Sequence, residues 1–134
     1  MLGQIAQYTL LKEIGSGVFG TVFLAVGEVP GRARNAPSKK RIVAIKKLND
    51  ISDVESRTLL IQEFSLLDQV KHRCIVRVFE YLEKENAVVM EYIHGITLRQ
   101  IIDALSQKRE RMFTEAAIEI ACEIADGLYQ AYTI

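Results

Sequence analysis

Up to residue 93, the chain is dominated by short runs of apolar, aromatic and β-branched residues, which fit the pleated surface of a sheet. Five such runs predict strands, at residues 8–14, 19–26, 42–48, 75–82 and 86–93. The first two flank a glycine-containing loop, and we expect them to pair as a hairpin. The last two are joined by the polar tripeptide Glu83-Lys84-Glu85, which suits another antiparallel turn.

Three other segments space their apolar residues at intervals of three and four, which predicts helices. The first is a helix over about residues 53–70, where the Ser52 hydroxyl and the Glu55 carboxylate form a candidate capping box. Thr97 and Thr114 are the predicted caps of two helices that follow the fifth strand. The predicted fold class is therefore α+β, with a five-stranded antiparallel sheet and one helix, followed by two α-helices.

Composition and charge are those of an ordinary globular chain. Of 134 residues, 49% are hydrophobic and 25% are charged, and 17 Lys and Arg balance 17 Asp and Glu. Nothing in this balance indicates a nucleic-acid partner. No apolar run approaches the ~20 residues of a membrane span, and the N-terminus lacks the pattern of a secretory signal. We therefore expect a cytoplasmic protein, or a cytoplasmic part of one.

The cysteines and a basic stretch favour structural interpretations. Cys74 and Cys122 are far apart in the sequence, lack a Cys-x-x-Cys partner and have apolar neighbours. We expect them to be small core side chains rather than a disulfide or a metal site. Basic residues concentrate within residues 27–41. This concentration predicts a solvated loop, with a docking surface as the alternative.

The stretch IGSGVFGTVF places Gly15, Gly17 and Gly20 at the spacing Gly-x-Gly-x-x-Gly. A dinucleotide-binding fold would need a helix directly after the third glycine, but a strand is predicted there. A phosphate loop of the Gly-x-x-x-x-Gly-Lys type would need a lysine where Thr21 stands. The remaining interpretation is a flap between two strands, whose glycines let backbone amides approach phosphate oxygens closely.

A phosphate under such a flap needs a positive charge, and Lys46 on the third predicted strand is a candidate. Strand alternation places Ala44 and Lys46 on one face of that strand, and Ile45 and Lys47 on the other. Glu63, in the middle of the first predicted helix, could hold the lysine extended. From the residues alone, a solvated Lys46 and a Glu63 on a surface helix remain alternatives.

Together these stretches resemble the small, nucleotide-binding lobe of eukaryotic-like Ser/Thr protein kinases. IGSGVFGTVF resembles the glycine-rich loop, VAIKKL the strand with the ATP lysine, and IQEFSLLDQVKHRCIVRVFEYL the C helix running into the fourth strand. AVVMEYIHG resembles the fifth strand and hinge. The resemblance implies a kinase-like ATP-binding lobe in residues 1–95 and the start of a helical lobe, with D- and E-like helices, in residues 96–134.

The resemblance also implies a role for each matched residue. The implied phosphate contacts are Gly15, Gly17, Phe19 at the flap tip, Gly20 and Lys46. Glu63 would pair with Lys46. The implied adenine contacts are Ile14, Val22 and Ala44 around the ring, Met90 as the gatekeeper, and backbone groups of Glu91 and Ile93 at the hinge.

The sequence departs from the family in what it lacks. The His-Arg-Asp catalytic loop with its later Asn, and the Asp-Phe-Gly metal site, occur nowhere in it. The resemblance therefore implies a full-length parent that transfers a phosphoryl group from ATP to a protein substrate. The 134-residue chain is expected to be inactive alone and to use Mg only with the missing lobe.

Two other functions remain open at this point. One is a natural non-catalytic module that uses a kinase-like lobe to bind a partner. The other, and the least favoured, is an NAD-binding enzyme. The apolar stripes of the last two predicted helices further predict self-association through residues 97–134, or the packing of these helices onto the small lobe.

Overall fold

The computed structural model describes residues 2–31, 36–50 and 52–133. Among these residues, six strands form one antiparallel sheet with the order β1-β2-β3-β4-β6-β5. The strands are β1 (Gly3–Ile5), β2 (Tyr8–Ser16), β3 (Gly20–Val29), β4 (Lys39–Leu48), β5 (Val78–Leu82) and β6 (Ala87–Glu91). The helices are α1 (Val54–Gln69), α2 (Leu98–Gln107) and α3 (Thr114–Tyr132). The predicted α+β class is confirmed.

The sheet has one strand more than predicted, because β1 gives no signal of its own. β1 pairs with β2 across a tight turn, with Ile5 opposite Tyr8. Ala6 in that turn takes a φ of 47°, and Ile5 is buried. A strand of three residues is too short for an alternating pattern to stand out, so only its pairing with β2 identifies it.

The strands β3 and β4 are longer than their apolar runs, so residues 27–29 and 39–41 of the predicted solvated loop belong to paired strands. Pairing continues past the apolar residues, with Gly27 opposite Arg41 and Val29 opposite Lys39. Backbone hydrogen bonds to a neighbouring strand do not depend on side-chain polarity, so charged residues can extend a hairpin that apolar residues anchor. Of the basic residues in this stretch, Arg32 and Arg34 lie outside the described residues.

The core lies on both faces of the sheet. Val43 and Ile45 of β4 belong to a cluster with Tyr8 and Val89. On the opposite face, the second cluster joins sheet residues to Leu60 of α1. α1 is thus anchored to one face only, which is the face that carries Ala44 and Lys46.

Tyr8 belongs to the cluster on the other face. Its hydroxyl donates a hydrogen bond to Glu80, and burial raises the pKa of Tyr8.

The helix α1 begins one residue later than the capping box predicts. Asp53, rather than Ser52, is the N-cap, and its carboxylate accepts hydrogen bonds from the amides of Glu55 and Ser56. The Ser52 hydroxyl instead donates to Asp50 at 2.6 Å. A carboxylate accepts amide bonds more strongly than a hydroxyl, so Asp53 displaces Ser52 from this role. The bonds from Ser56 lower the pKa of Asp53.

Residues 72–75 form a second compact unit with the segment that begins at Ile93 and contains α2 and α3. The predicted cap Thr97 is confirmed, because it forms a reciprocal capping box with Gln100. The predicted cap Thr114 is wrong: it is the first residue of α3, and the N-cap Phe113 makes no side-chain capping bond. The apolar Phe113 offers no acceptor, so this helix begins without the stabilisation that Thr97 provides for α2.

The two cysteines differ from the predicted core side chains. Cys74 is half-buried, and Cys122 is exposed on α3. Helical spacing places Cys122 beside apolar residues of α3, but neighbours such as Ile118 are themselves exposed.

Of the helices in the part of the chain that the structure describes, none combines the length and apolar content that crossing a bilayer requires.

Candidate functional site

The glycine loop connects β2, which ends at Ser16, to β3, which begins at Gly20. A strand therefore follows the third glycine directly, as predicted, and the helix that a dinucleotide-binding loop needs is not found there. The amide of Gly17 donates to the carbonyl of Gly20 at 2.9 Å, which closes the loop into a tight turn.

The three glycines differ in how much space a side chain would have at each position. A Cβ atom on Gly20 would lie 2.5 Å from the carbonyl oxygen of Lys47, so the backbones of β3 and β4 approach too closely for a side chain. A Cβ atom on Gly15 or Gly17 would meet nothing within 4 Å. Gly20 is thus required by packing, whereas Gly15 and Gly17 border open space that a ligand could use.

Replacing Gly20 by Ala is expected to lower the free energy of unfolding by about 1–3 kcal/mol, because two paired strands must move apart. Gly17→Ala is the matched control and should change stability by no more than about 0.5 kcal/mol. Urea denaturation of both variants makes the comparison. Equal stabilities for the two variants would show that the close approach at Gly20 relaxes at no cost.

Asn49, just after β4, holds the glycine loop in place. Its Nδ2 donates to the carbonyl of Gly17 at 3.0 Å, and its Oδ1 accepts from Oγ1 of Thr21 at 2.8 Å. Its backbone amide donates to the carbonyl of Phe19 at 3.4 Å. Asn49 gives no signal of its own in the sequence, because no spacing pattern connects a residue after one strand with a loop 28 to 32 residues earlier.

Lys46 and Glu63 are brought together by β4 and α1. Nζ of Lys46 lies 2.6 Å from Oε2 of Glu63, and the two side chains are 29% and 47% exposed. Glu63 reaches the lysine because Leu60, one helical turn earlier, is buried against the sheet. Of the alternatives left open by the sequence, a Lys46 that only points into solvent is excluded.

A cavity of about 190 Å³ lies at this ion pair. Lys46 and Glu63 line it together with Phe19 of the glycine loop and Leu60 of α1. Phe19 is also 63% exposed, so its ring is only partly held by this contact. The loop, the lysine and the glutamate thus surround one space.

Val22, Ala44 and Met90, which are three of the predicted adenine contacts, lie on one face of the sheet. Val22 of β3 lies opposite Lys46, and Met90 of β6 lies opposite Ala44. Cross-strand partners project from the same face, so Val22, Ala44 and Met90 join the face that carries Lys46. Ala44 is buried and Met90 half-buried.

Ile14, Glu91 and Ile93 are the remaining predicted site residues. Ile14 is exposed near the end of β2. The amide of Glu91 donates to the carbonyl of Arg77 at 2.8 Å, and a carboxylate oxygen of Glu91 accepts from the amide of Arg77 at 2.7 Å. Ile93 belongs to the second unit and is exposed.

Within the second unit, one group of metal-ligand side chains occurs among the described residues: His72, Cys74 and Asp126, with ligand atoms within 4.8 Å of one another. Nδ1 of His72 accepts from the amide of Cys74 at 3.2 Å. Nε2 of His72 therefore carries the proton of the neutral ring, and it lies 3.1 Å from Oδ2 of Asp126. A metal ion would have to displace this hydrogen bond, so we assign the group to structure.

Comparison with known proteins identifies the same family across the chain. The family described as protein tyrosine and serine/threonine kinase matches residues 8–131. Serine/threonine-protein kinase PkaB of Streptomyces coelicolor is 33% identical over 131 residues, which cover 95% of this chain and 28% of that protein. Serine/threonine-protein kinase ULK1 of Homo sapiens is 33% identical over 114 residues, 81% of this chain and 10% of that protein.

A third relative is a plant protein. Calmodulin-binding receptor-like cytoplasmic kinase 1 of Arabidopsis thaliana is 29% identical over 131 residues, which cover 96% of this chain and 25% of that protein. The chain therefore spans less than a third of the length of each of these three relatives. Since the family match extends from the first residue of β2 into α3, this chain belongs to the protein tyrosine and serine/threonine kinase family.

Proposed function

We propose that this chain binds ATP and is the nucleotide-binding lobe of a Ser/Thr protein kinase. One observation carries the proposal: Nζ of Lys46 lies 2.6 Å from Glu63 at a cavity that Phe19 of the glycine loop also lines. Relatives named Ser/Thr protein kinases support the choice of Ser/Thr for the full-length parent. We include a cytoplasmic location in the proposal, as the name of the Arabidopsis relative states for that protein.

The exposure of the ion pair supports a positioning role. A salt bridge between side chains as exposed as Lys46 and Glu63 contributes only about 0–1 kcal/mol to stability, because water screens it. The pair of Lys46 and Glu63 therefore contributes little to the stability of the fold. Its stronger effect is to hold the ammonium group of Lys46 in one direction, toward the α- and β-phosphates in our proposal.

The other proposed contacts follow from the shared sheet face. Gly15 and Gly17 border open space, which would let their amides approach phosphate oxygens. Val22, Ala44 and Met90 share the sheet face of Lys46, and in our proposal the flat adenine ring contacts them there. Ile14, Gly20 and hinge groups of Glu91 and Ile93 complete the proposed set of ATP contacts.

We propose that the 134-residue chain does not transfer the phosphoryl group alone. Transfer needs an aspartate that orients the attacking hydroxyl and ligands for the metal ions that bridge the phosphates. Neither the His-Arg-Asp nor the Asp-Phe-Gly motif occurs in the sequence. Chemistry on a protein substrate, with Mg, is thus proposed for the full-length parent only.

The test of ATP binding is a pair of calorimetric titrations of the wild-type chain, one with ATP and one with NAD. We expect measurable binding of ATP and none of NAD at the same concentrations. Tighter binding of NAD than of ATP would overturn the proposal in favour of a dinucleotide-binding enzyme. Binding of neither nucleotide would favour a non-catalytic module.

Self-association through residues 97–134 is a separate part of the proposal. Along α3, Ile118, Ile124, Leu128 and Tyr132 are all exposed, and apolar area of this kind favours association in water. Light scattering after size-exclusion chromatography should show dimers or larger species. Leu128→Glu should weaken the association about tenfold or more, since it places a charge in the contact. A monomer at all concentrations would contradict this prediction.

A further inference from the structure

We propose that this chain has a second binding site, a basic groove on the sheet face opposite Lys46, and that it binds an acidic, partly apolar peptide segment of another protein. We define the basic groove by Lys39, Arg41, Arg77 and Phe79. This site shares Glu91 with the proposed nucleotide site but none of its phosphate-contacting residues, and the proposal does not depend on that site.

Two adjoining cavities form the groove. One, of about 340 Å³, is lined by Lys39, Arg41, Arg77 and Phe79, with Pro37 among its apolar residues. The other, of about 380 Å³, shares Arg41, Arg77 and Phe79 with the first. Because Arg41, Arg77 and Phe79 line both cavities, the two cavities adjoin, and a chain that extends across both suits them better than a compact ligand.

The position of the groove follows from strand alternation. Lys39 and Arg41 lie on the face of β4 that also carries the core residues Val43 and Ile45. Lys46 lies on the opposite face of β4. Neither Lys46 nor Glu63 lines either cavity, so a ligand in the basic groove would contact neither of them.

The charges of the groove are available to a ligand. None of the ion pairs formed among the described residues includes Lys39, Arg41 or Arg77. The guanidinium of Arg41 instead lies over the ring of Phe79, with its central carbon 5.8 Å from the ring centroid. This stacking restrains Arg41 without neutralising it, so less side-chain entropy is lost when a carboxylate binds.

One carboxylate, that of Glu91, is among the described residues that line the groove. It lies at the end away from Lys39 and accepts a hydrogen bond from the amide of Arg77 at 2.7 Å. The groove thus carries positive charge along most of its length, and both positive and negative charge at the end near Glu91. The peptide that fits has its acidic residues toward Lys39 and an apolar or neutral residue near Glu91.

A peptide fits this surface better than a nucleic acid does. Nucleic acids are attracted mainly by many phosphate contacts and by a strongly basic field. Here three cations share the groove with apolar side chains such as Val29, Pro37 and Phe79. The chain as a whole has 17 positive and 17 negative side chains, which gives no long-range attraction for a polyanion.

The experiment is a selection of random short peptides displayed on phage against the full 134-residue chain. We expect the selected peptides to be enriched in Asp and Glu next to apolar residues. Their affinities for Arg77→Glu should fall about tenfold or more, because a charge-assisted bond becomes a repulsion. Arg77→Gln, which only removes the charge, should show a smaller loss and guards against a folding defect in the reversal variant.

Lys40→Glu is the matched control, because it reverses the charge of a residue that lies between Lys39 and Arg41 on β4 but points to the opposite face and lines neither cavity. It should bind the selected peptides as the wild type does. The proposal is overturned if no acidic peptides are enriched, or if Lys40→Glu weakens binding as much as Arg77→Glu. It is also overturned if a single-stranded oligonucleotide displaces the peptides at lower concentration than an acidic peptide does.

Discussion

Replacing Lys46 by Ala is expected to weaken ATP binding about 10- to 150-fold, which corresponds to the loss of about 1.5–3 kcal/mol for one hydrogen bond to a charged group. The substitution removes the ammonium group that lies 2.6 Å from Glu63. It also leaves the Glu63 carboxylate facing the phosphates without a counter-charge, which adds repulsion. Calorimetric titration with ATP measures the effect.

Lys47→Ala is the control for this prediction. Lys47 is the next residue of β4 and points to the other face of the strand, so it loses the same atoms away from the cavity. Its ATP affinity should stay within about twofold of the wild type, a difference of about 0.4 kcal/mol. Equal losses in Lys46→Ala and Lys47→Ala would mean that ATP is attracted by overall charge and not by the proposed site.

Leu60→Ala is expected to destabilise the chain by about 2–5 kcal/mol, since it empties a buried position between α1 and the sheet. Leu60 is 2% exposed and belongs to the cluster that joins α1 to Leu48, Val78 and Val88. It is also one turn before Glu63. If α1 is loosened at Leu60, the distance between Glu63 and Lys46 is no longer held, and ATP affinity should fall as well.

The neighbouring Leu59 provides the matched control. Leu59 is 51% exposed, so Leu59→Ala deletes the same atoms from a site that water already reaches. Its cost should stay below about 1 kcal/mol. Urea denaturation compares the two variants. A similar cost for both would show that α1 is held to the sheet by something other than the packing of Leu60.

Each of the two proposed sites can be disproved without affecting the evidence for the other. The nucleotide site uses the face of β4 with Ala44 and Lys46, and the basic groove uses the face with Lys39 and Arg41. A variant of either site should leave the ligand of the other unaffected. The strand β4 thus serves two surfaces, because successive side chains of a strand project in opposite directions.

Much of the candidate site could be predicted from the sequence. Glycine spacing followed by β-branched residues indicated a flap between two strands, and β3 indeed begins at Gly20. Alternation assigned Ala44 and Lys46 to one face, which the register with Met90 and Val22 supports. These features could be read in advance because they depend on residues close together in the chain.

Other parts of the structure depend on residues that are distant in the sequence, and no local pattern signals them. Asn49 holds the glycine loop through contacts with Gly17, Phe19 and Thr21. The basic groove exists because β4 pairs with β3 beyond the apolar run and so brings Arg41 near Phe79 of β5. Neither arrangement can be inferred from spacing alone.

The sequence by itself determined the order of the three helices and of every described strand except β1, the face on which Lys46 lies and the cap at Thr97. It did so because local backbone geometry repeats with short periods that side chains follow. Only the tertiary structure decided that Glu63 reaches Lys46, that Asp53 rather than Ser52 caps α1, and that β1 joins the sheet. Each of these outcomes is a competition between possible partners, and the winner depends on distances that exist only once the chain has folded.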